Sequence, residues 1–124
     1  MASLQSTAMP EPSQRFARSD RILKRETFKR VYEQGRKFTA KYFTAFVLSN
    51  PATQTRIGIT TTRKIGSAVE RNRARRLVRE AYRRNKVLVP SGLDIVVNPK
   101  RSLVEAVFGD FEVEFVSFLG RLAR

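Results

Sequence analysis

From Gly66 to Lys86 the chain carries no proline, and its arginines recur at helical spacing. Arginine and alanine are good helix formers. On a 3.6-residue wheel Ala74, Leu77, Val78 and Ala81 share one stripe at i, i+3, i+4 and i+7, which predicts a core-facing side. Asn72, Arg75, Arg76, Arg79 and Arg83 fall together on a different side. Ser67, with Glu70 three residues on, predicts a capping box at the helix start. The arginines are therefore sorted onto a ridge beside an apolar stripe, and whatever fold the chain adopts must pack one and expose the other.

A charged solvent face is the plain explanation of any charge run. Solvent-facing helices, however, usually mix signs, with an acid four residues before a base. Here Glu70 and Glu80 stand against eight basic residues from Arg71 to Lys86. Like charges at that density destabilise a helix unless an anion neutralises them. The planar guanidinium suits phosphate, which it meets through two parallel hydrogen bonds. The whole chain leans the same way: Lys and Arg number 25 against 11 Asp and Glu in 124 residues, a formal net charge of +14. Such a chain attracts polyanions at long range, and nucleic acid is the leading partner. An anionic membrane fits less well. No stretch is long and apolar enough to span one, and the basic helix lacks Trp or a broad apolar face for insertion.

The sequence has no Cys and no His. That excludes zinc fingers, thiol nucleophiles, Ser-His-Asp triads and imidazole bases. Glu105, Asp110, Glu112 and Glu114 cluster, but on what reads as a C-terminal helix, where they are expected to face solvent. No catalytic side chain and no protein metal site are expected, so any chemistry belongs to something the chain binds.

Residues 1–18 are polar, with Ser, Pro and Gln, and read as a disordered tail with no signal peptide; residues 19–124 read as one domain. Phe28, Val31 and Tyr32 at i, i+3 and i+4, ending at Gly35, predict a first short helix. Aromatics at that spacing are ordinarily core. Residues 36–40 suit an edge strand, and 42–49 and 55–62 suit strands joined by a short loop through Asn50-Pro51 into an antiparallel hairpin. Residues 93–97 read as a buried strand. Phe111, Phe115, Phe118, Leu119 and Leu122 predict a last amphipathic helix over 110–124, with Asp110 as its N-cap. The order is α-β-β-β-α-β-α, an α+β two-layer sandwich with helices packed on a four-stranded sheet.

The run Arg63-Lys64-Ile65-Gly66-Ser67-Ala68-Val69-Glu70-Arg71-Asn72-Arg73-Ala74-Arg75-Arg76-Leu77-Val78-Arg79-Glu80 resembles the signature of the bacterial ribonuclease P protein subunit, of the form K-x-G-x-A-x-x-R-N-R-x-x-R-x-x-R. The resemblance extends over about residues 21–119: Leu23, Phe28, Val31 and Gly35 match the first helix, and residues 43–48, 56–62 and 94–97 match the strands. It implies a left-handed crossover carrying the arginine helix between parallel strands, against the usual hand. It implies an accessory subunit of a ribonucleoprotein endonuclease that removes the 5′ leader of precursor tRNA, with Mg2+ at the active site of a catalytic RNA. Arg71, Asn72, Arg73, Arg76 and Arg79 would face the RNA subunit, Arg63 and Lys64 would add phosphate contacts, and Arg75 and Arg83 lie on the same basic helix. Phe28, Tyr32 and Phe46 would line a cleft for the single-stranded leader, since every base offers a stackable face. Two departures stand out. Asn98-Pro99 replaces an apolar-then-basic exit from the last strand, leaving Lys100 and Arg101 to supply charge, and the stretch before Arg15 is longer than the pattern needs.

Two other classes compete. A ribosome-associated RNA binder shares this architecture and charge but has no use for a row of cleft aromatics. A DNA binder would lay the arginine helix in a major groove, yet a pair of strands, not a second helix, precedes it. A cytoplasmic location is the default, with no membrane and no DNA as partner.

Overall fold

The computed structural model describes residues 20–22 and 24–123, so the expected tail over 1–18 and the match at Leu23 lie outside the described residues. The elements are α1 (Arg25–Gln34), β1 (Arg36–Thr39), β2 (Phe43–Ser49), β3 (Arg56–Ile59), α2 (Ala68–Arg84), a 3-10 turn (Lys86–Leu88), β4 (Leu93–Pro99), a short α3 (Arg101–Val104) and α4 (Phe108–Leu122). The expected α+β architecture on a four-stranded sheet is present, with α3 as an added turn of helix. The last helix begins two residues before Asp110, with Val107 at the cap position and Asp110 inside the first turn. Among the described residues no helix is long and apolar enough to cross a membrane.

The strand order is β1-β2-β4-β3. The antiparallel hairpin expected between the second and third strands does not form. β4 inserts between them, antiparallel to β2 and parallel to β3, with Phe46 opposite Val96 and Val96 opposite Gly58. A loop of six residues, 50–55, therefore carries the chain past β4's place to the far edge, and α2 makes the crossover between the parallel neighbours β3 and β4. A central strand buried on both sides explains why 93–97 reads as a continuous apolar run.

Strand alternation splits the interior into two. Phe43, Ala45, Val47, Ile57, Ile95 and Val97 face α2 and α4, where Phe43 meets the rings of Phe111, Phe115 and Phe118 at centroid distances of 6.0, 5.9 and 5.5 Å. The helix side of this core comes from Ala74, Val78 and Ala81, as the wheel predicts; Tyr82 is buried with them and Leu77 only partly. On the other face, Ile22, Val31 and Val96 form a small cluster beneath α1, and Phe28, Tyr32, Phe46 and Leu48 pack around it.

Gly58 matters on this second face. A Cβ there would lie 2.6 Å from the Phe28 ring and 3.2 Å from the Ile22 Cβ, so the bare backbone is the seat on which Phe28 rests. Gly58→Ala is expected to displace the ring and cost about 1–3 kcal/mol. Denaturant unfolding together with the Phe28 ring resonances measures both effects; an unmoved ring and an unchanged midpoint would remove this role.

Candidate nucleic-acid interface

The arginine helix starts as its sequence predicts. The Ser67 hydroxyl accepts from the Glu70 N–H at 3.2 Å, and the Glu70 carboxylate accepts from the Ser67 N–H at 2.9 Å. Gly66 has φ of +141°, a backbone region that favours glycine, and a side chain there would collide with Glu70 and Arg101. Arg101, the first residue of α3, donates to the Ile65 carbonyl and to Glu70, the latter at 3.2 Å. These contacts hold the Glu70 carboxyl below its usual range, chiefly through the Ser67 backbone hydrogen bond, then through Arg101. Lys100, the other base expected to supply charge at this exit, donates to the Ala40 carbonyl at 2.6 Å, so both have partners within the protein.

The arginines are not uniformly presented. Arg71 donates to the Gly66 carbonyl at 2.7 Å and Arg73 to the Val104 carbonyl at 3.2 Å, which ties the first helical turns to the loop before them and to α3. Arg75 bonds the Thr61 hydroxyl and the Asn72 side-chain carbonyl. Arg63 and Lys64 are exposed in the turn that follows β3, and Arg76 is exposed on the helix. Arg76, Arg79 and Arg83 line one groove with Arg21, Leu77 and Glu80. Within it Arg83 meets both Glu80 carboxylate oxygens, at 3.0 and 2.7 Å, which raises the Arg83 pKa and lowers that of Glu80. Arg79 is held below its ordinary value, first by burial and then by the positive charges of Arg21 and Arg75.

The three aromatics converge on the α1 face. Tyr32 stands edge-on to Phe46 with centroids 4.9 Å apart, and its hydroxyl donates to the Asn98 side-chain carbonyl at 2.7 Å. Phe28 and Tyr32 line a depression with Arg25 and Thr60. The Lys37 ammonium sits 5.9 Å from the Phe46 centroid. All three rings are half-buried, so they serve as cleft wall and small core together. Asn98, singled out in sequence only as a departure, thus orients the Tyr32 ring. Its parity with Val96 along the strand was the signal that placed it on this face. Arg25 lines the depression with Phe28 and Tyr32, Arg21 lines the groove beside it and Lys37 stands over the Phe46 ring, and no motif marks any of the three.

Of the four acids expected to face solvent, Glu105 and Asp110 are exposed, whereas Glu112 and Glu114 are half-buried and employed. Glu114 accepts from the Lys41 and Tyr42 N–H groups at 2.8 and 2.9 Å, capping the β1–β2 turn, and Glu112 holds Asn85 at 2.9 Å and Arg84 at 3.2 Å. Among the described residues no three acids come together in a way that would hold a metal ion.

Fold and site together define a class: a small basic α+β protein that presents a ridge of arginines and a separate aromatic cleft. The family model described as Ribonuclease P matches residues 16–123. The chain is 36% identical over 107 residues to the ribonuclease P protein component of Clostridioides difficile, covering 86% of this chain and 94% of that one. It is 39% identical over 90 residues to that of Thermotoga maritima, covering 73% and 77%. The solved RNase P protein from Thermotoga maritima superposes with a TM-score of 0.75 at 34% identity, over 82% of this chain and 96% of that one. The Staphylococcus aureus RNase P protein, at 24% identity and a TM-score of 0.74, supports the fold. The chain belongs to the bacterial ribonuclease P protein component family.

Because the folded Glu70 pKa is depressed, its contribution to the helix start is fully present above the ordinary value of 4.5 and is lost as pH falls through the lowered folded value. Acidification through that window is expected to loosen the first turn of α2 in the native chain, and the Glu70→Gln variant should lack this pH dependence. Amide exchange at Glu70 and Arg71 reads it; identical pH profiles in the two proteins would contradict it.

Proposed function

We propose that this chain binds the catalytic RNA subunit of ribonuclease P through its arginine helix and the 5′ leader of precursor tRNA through its aromatic cleft. In this role it assists endonucleolytic removal of the leader in the cytoplasm. The observation that carries the reading is the presence of two separate surfaces. Arg63, Lys64, Arg76, Arg79 and Arg83 lie along the helix and its approach, while Phe28, Tyr32 and Phe46 gather on the opposite face of the sheet. A protein that only props up a folded RNA needs the first surface. The second is suited to unpaired bases, which stack on rings without regard to sequence. Arg71, Asn72, Arg73 and Arg75 are fixed by bonds to the protein and serve the RNA subunit as a pre-set start of the ridge. The metal ions of the reaction are supplied, as Mg2+, by the RNA active site; the protein's own residues contribute charge, position and stacking faces.

Phe28→Leu, Tyr32→Leu and Phe46→Leu keep the apolar bulk of the cleft and remove its π faces. Each should weaken long-leader precursor binding by roughly 5- to 100-fold, the effect of one lost base stack. Affinity for the RNA subunit should stay as it was and fall about 10³-fold or more between low and moderate salt, if six or more phosphates are neutralised. Equal losses for leader-bearing and leaderless substrates would favour a ribosome-associated role, and a salt-insensitive complex would exclude the arginine ridge as the RNA contact.

A further inference from the structure

The aromatic cleft and the arginine ridge lie on opposite faces of the sheet, and two residues span the edge between them. Arg21 forms a parallel bridge with Ile57 on the outer margin of β3, and the Ile22 N–H donates to the Ile57 carbonyl at 3.0 Å. From that margin Arg21 lines two grooves. On the α1 face the groove is walled by Ile22, Phe28, Gly58, Ile59 and Arg79. On the α2 side it is walled by Arg76, Leu77, Arg79, Glu80 and Arg83. Arg21 and Arg79 belong to both. Phe28 is shared in turn with the depression formed by Arg25, Tyr32 and Thr60. Each depression shares lining residues with the next, in a series from the aromatic rings around the margin of the sheet to the arginine helix.

The chain anchors the Arg21 segment through its neighbour. Asp20, next to Arg21, is buried, accepts from the Lys86 ammonium at 2.6 Å and from the Gln54 side chain at 3.2 Å, and so anchors the segment to the 3-10 turn after α2 and the loop before β3. The anchor fixes the Arg21 backbone while its guanidinium reaches the groove. Burial and the charges of Arg21 and Arg75 both press on Arg79. Glu80, the acid among the lining residues, is matched by Arg83. Two guanidiniums that line the same two grooves suit a phosphate, the anion a single-stranded path delivers.

We propose that Arg21 and Arg79 form a phosphate clamp at the margin of the sheet, guiding one RNA strand from the aromatic cleft to the arginine ridge. The proposal deepens the leader-binding reading and rests on it. It is tested with the full chain assembled on a bacterial ribonuclease P RNA, using a long-leader precursor tRNA, a leaderless tRNA, and long-leader precursors carrying a methylphosphonate at one leader position at a time. Arg21→Gln should weaken the long-leader complex about tenfold at low salt, more than the leaderless one, and lower its salt slope by about 0.7, one single-strand phosphate. Arg21→Lys should recover part of the loss. One methylphosphonate position should weaken the native complex and leave the Arg21→Gln complex no weaker than before. Equal losses with and without a leader, or no position masked by the variant, would overturn the clamp. Phe28→Leu run alongside separates the two failures. Leader-dependent loss there but not with Arg21→Gln removes the clamp and keeps the leader reading; no leader dependence in either removes both.

Discussion

Asp94 is buried in β4, and Arg56 reaches it from the paired position on β3 through two hydrogen bonds of 3.0 Å, with the Asn50 side chain adding a third at 2.9 Å. A buried carboxylate needs such partners, and slipping the strand by one residue would turn Arg56 and Asp94 to opposite faces. The pair therefore pins the parallel register of β3 on β4. That register brings Gly58 level with Val96 and Phe46, which opens the seat for Phe28 and builds the cleft. It also sets where α2 leaves β3 and returns to β4, hence where the arginine ridge lies relative to the sheet.

The two surfaces use different physics because they must be held differently. The rings share their burial with Ile22, Val31 and Val96, so the small core beneath α1 is what keeps Tyr32 and Phe46 at their edge-on angle. The ridge has no such core of its own. Its charges are positioned by the capping box, by Arg101 on Glu70 and the Ile65 carbonyl, and by backbone acceptors for Arg71 and Arg73. Preorganisation of this kind leaves the Arg71 and Arg73 guanidiniums ordered before a polyanion arrives, so less is lost on binding.

Local features were legible in the sequence. The capping box follows from Ser67 and Glu70 three apart, the helix stripe from the spacing of Ala74, Val78 and Ala81, and the crowding of the rings from Phe28 and Tyr32 on one helical turn. Strand partners were not legible. Alternation tells which residues share a face but not which strand lies beside which, and Tyr42 to Ser49 next to Thr55 to Thr62 satisfies a hairpin and an inserted β4 equally well. The insertion is decided at long range, by Arg56 on Asp94 and by the apolar wealth of β4 that demands a central place. The same distance hides Glu112 and Glu114, whose partners Arg84, Asn85, Lys41 and Tyr42 are set by tertiary packing. It hides Arg21 as well, a residue outside any motif that the fold brings to the side of Arg79.

The most direct measurement is cleavage of a precursor tRNA by a bacterial ribonuclease P RNA at low magnesium, with and without this chain, and with the chain alone as control. Cutting at the mature 5′ end by the pair, and by neither component alone, is expected of a subunit that adds charge and position to an RNA catalyst. A competent RNA that gains nothing from the chain, while still binding it tightly, would contradict the assignment of this surface to leader removal.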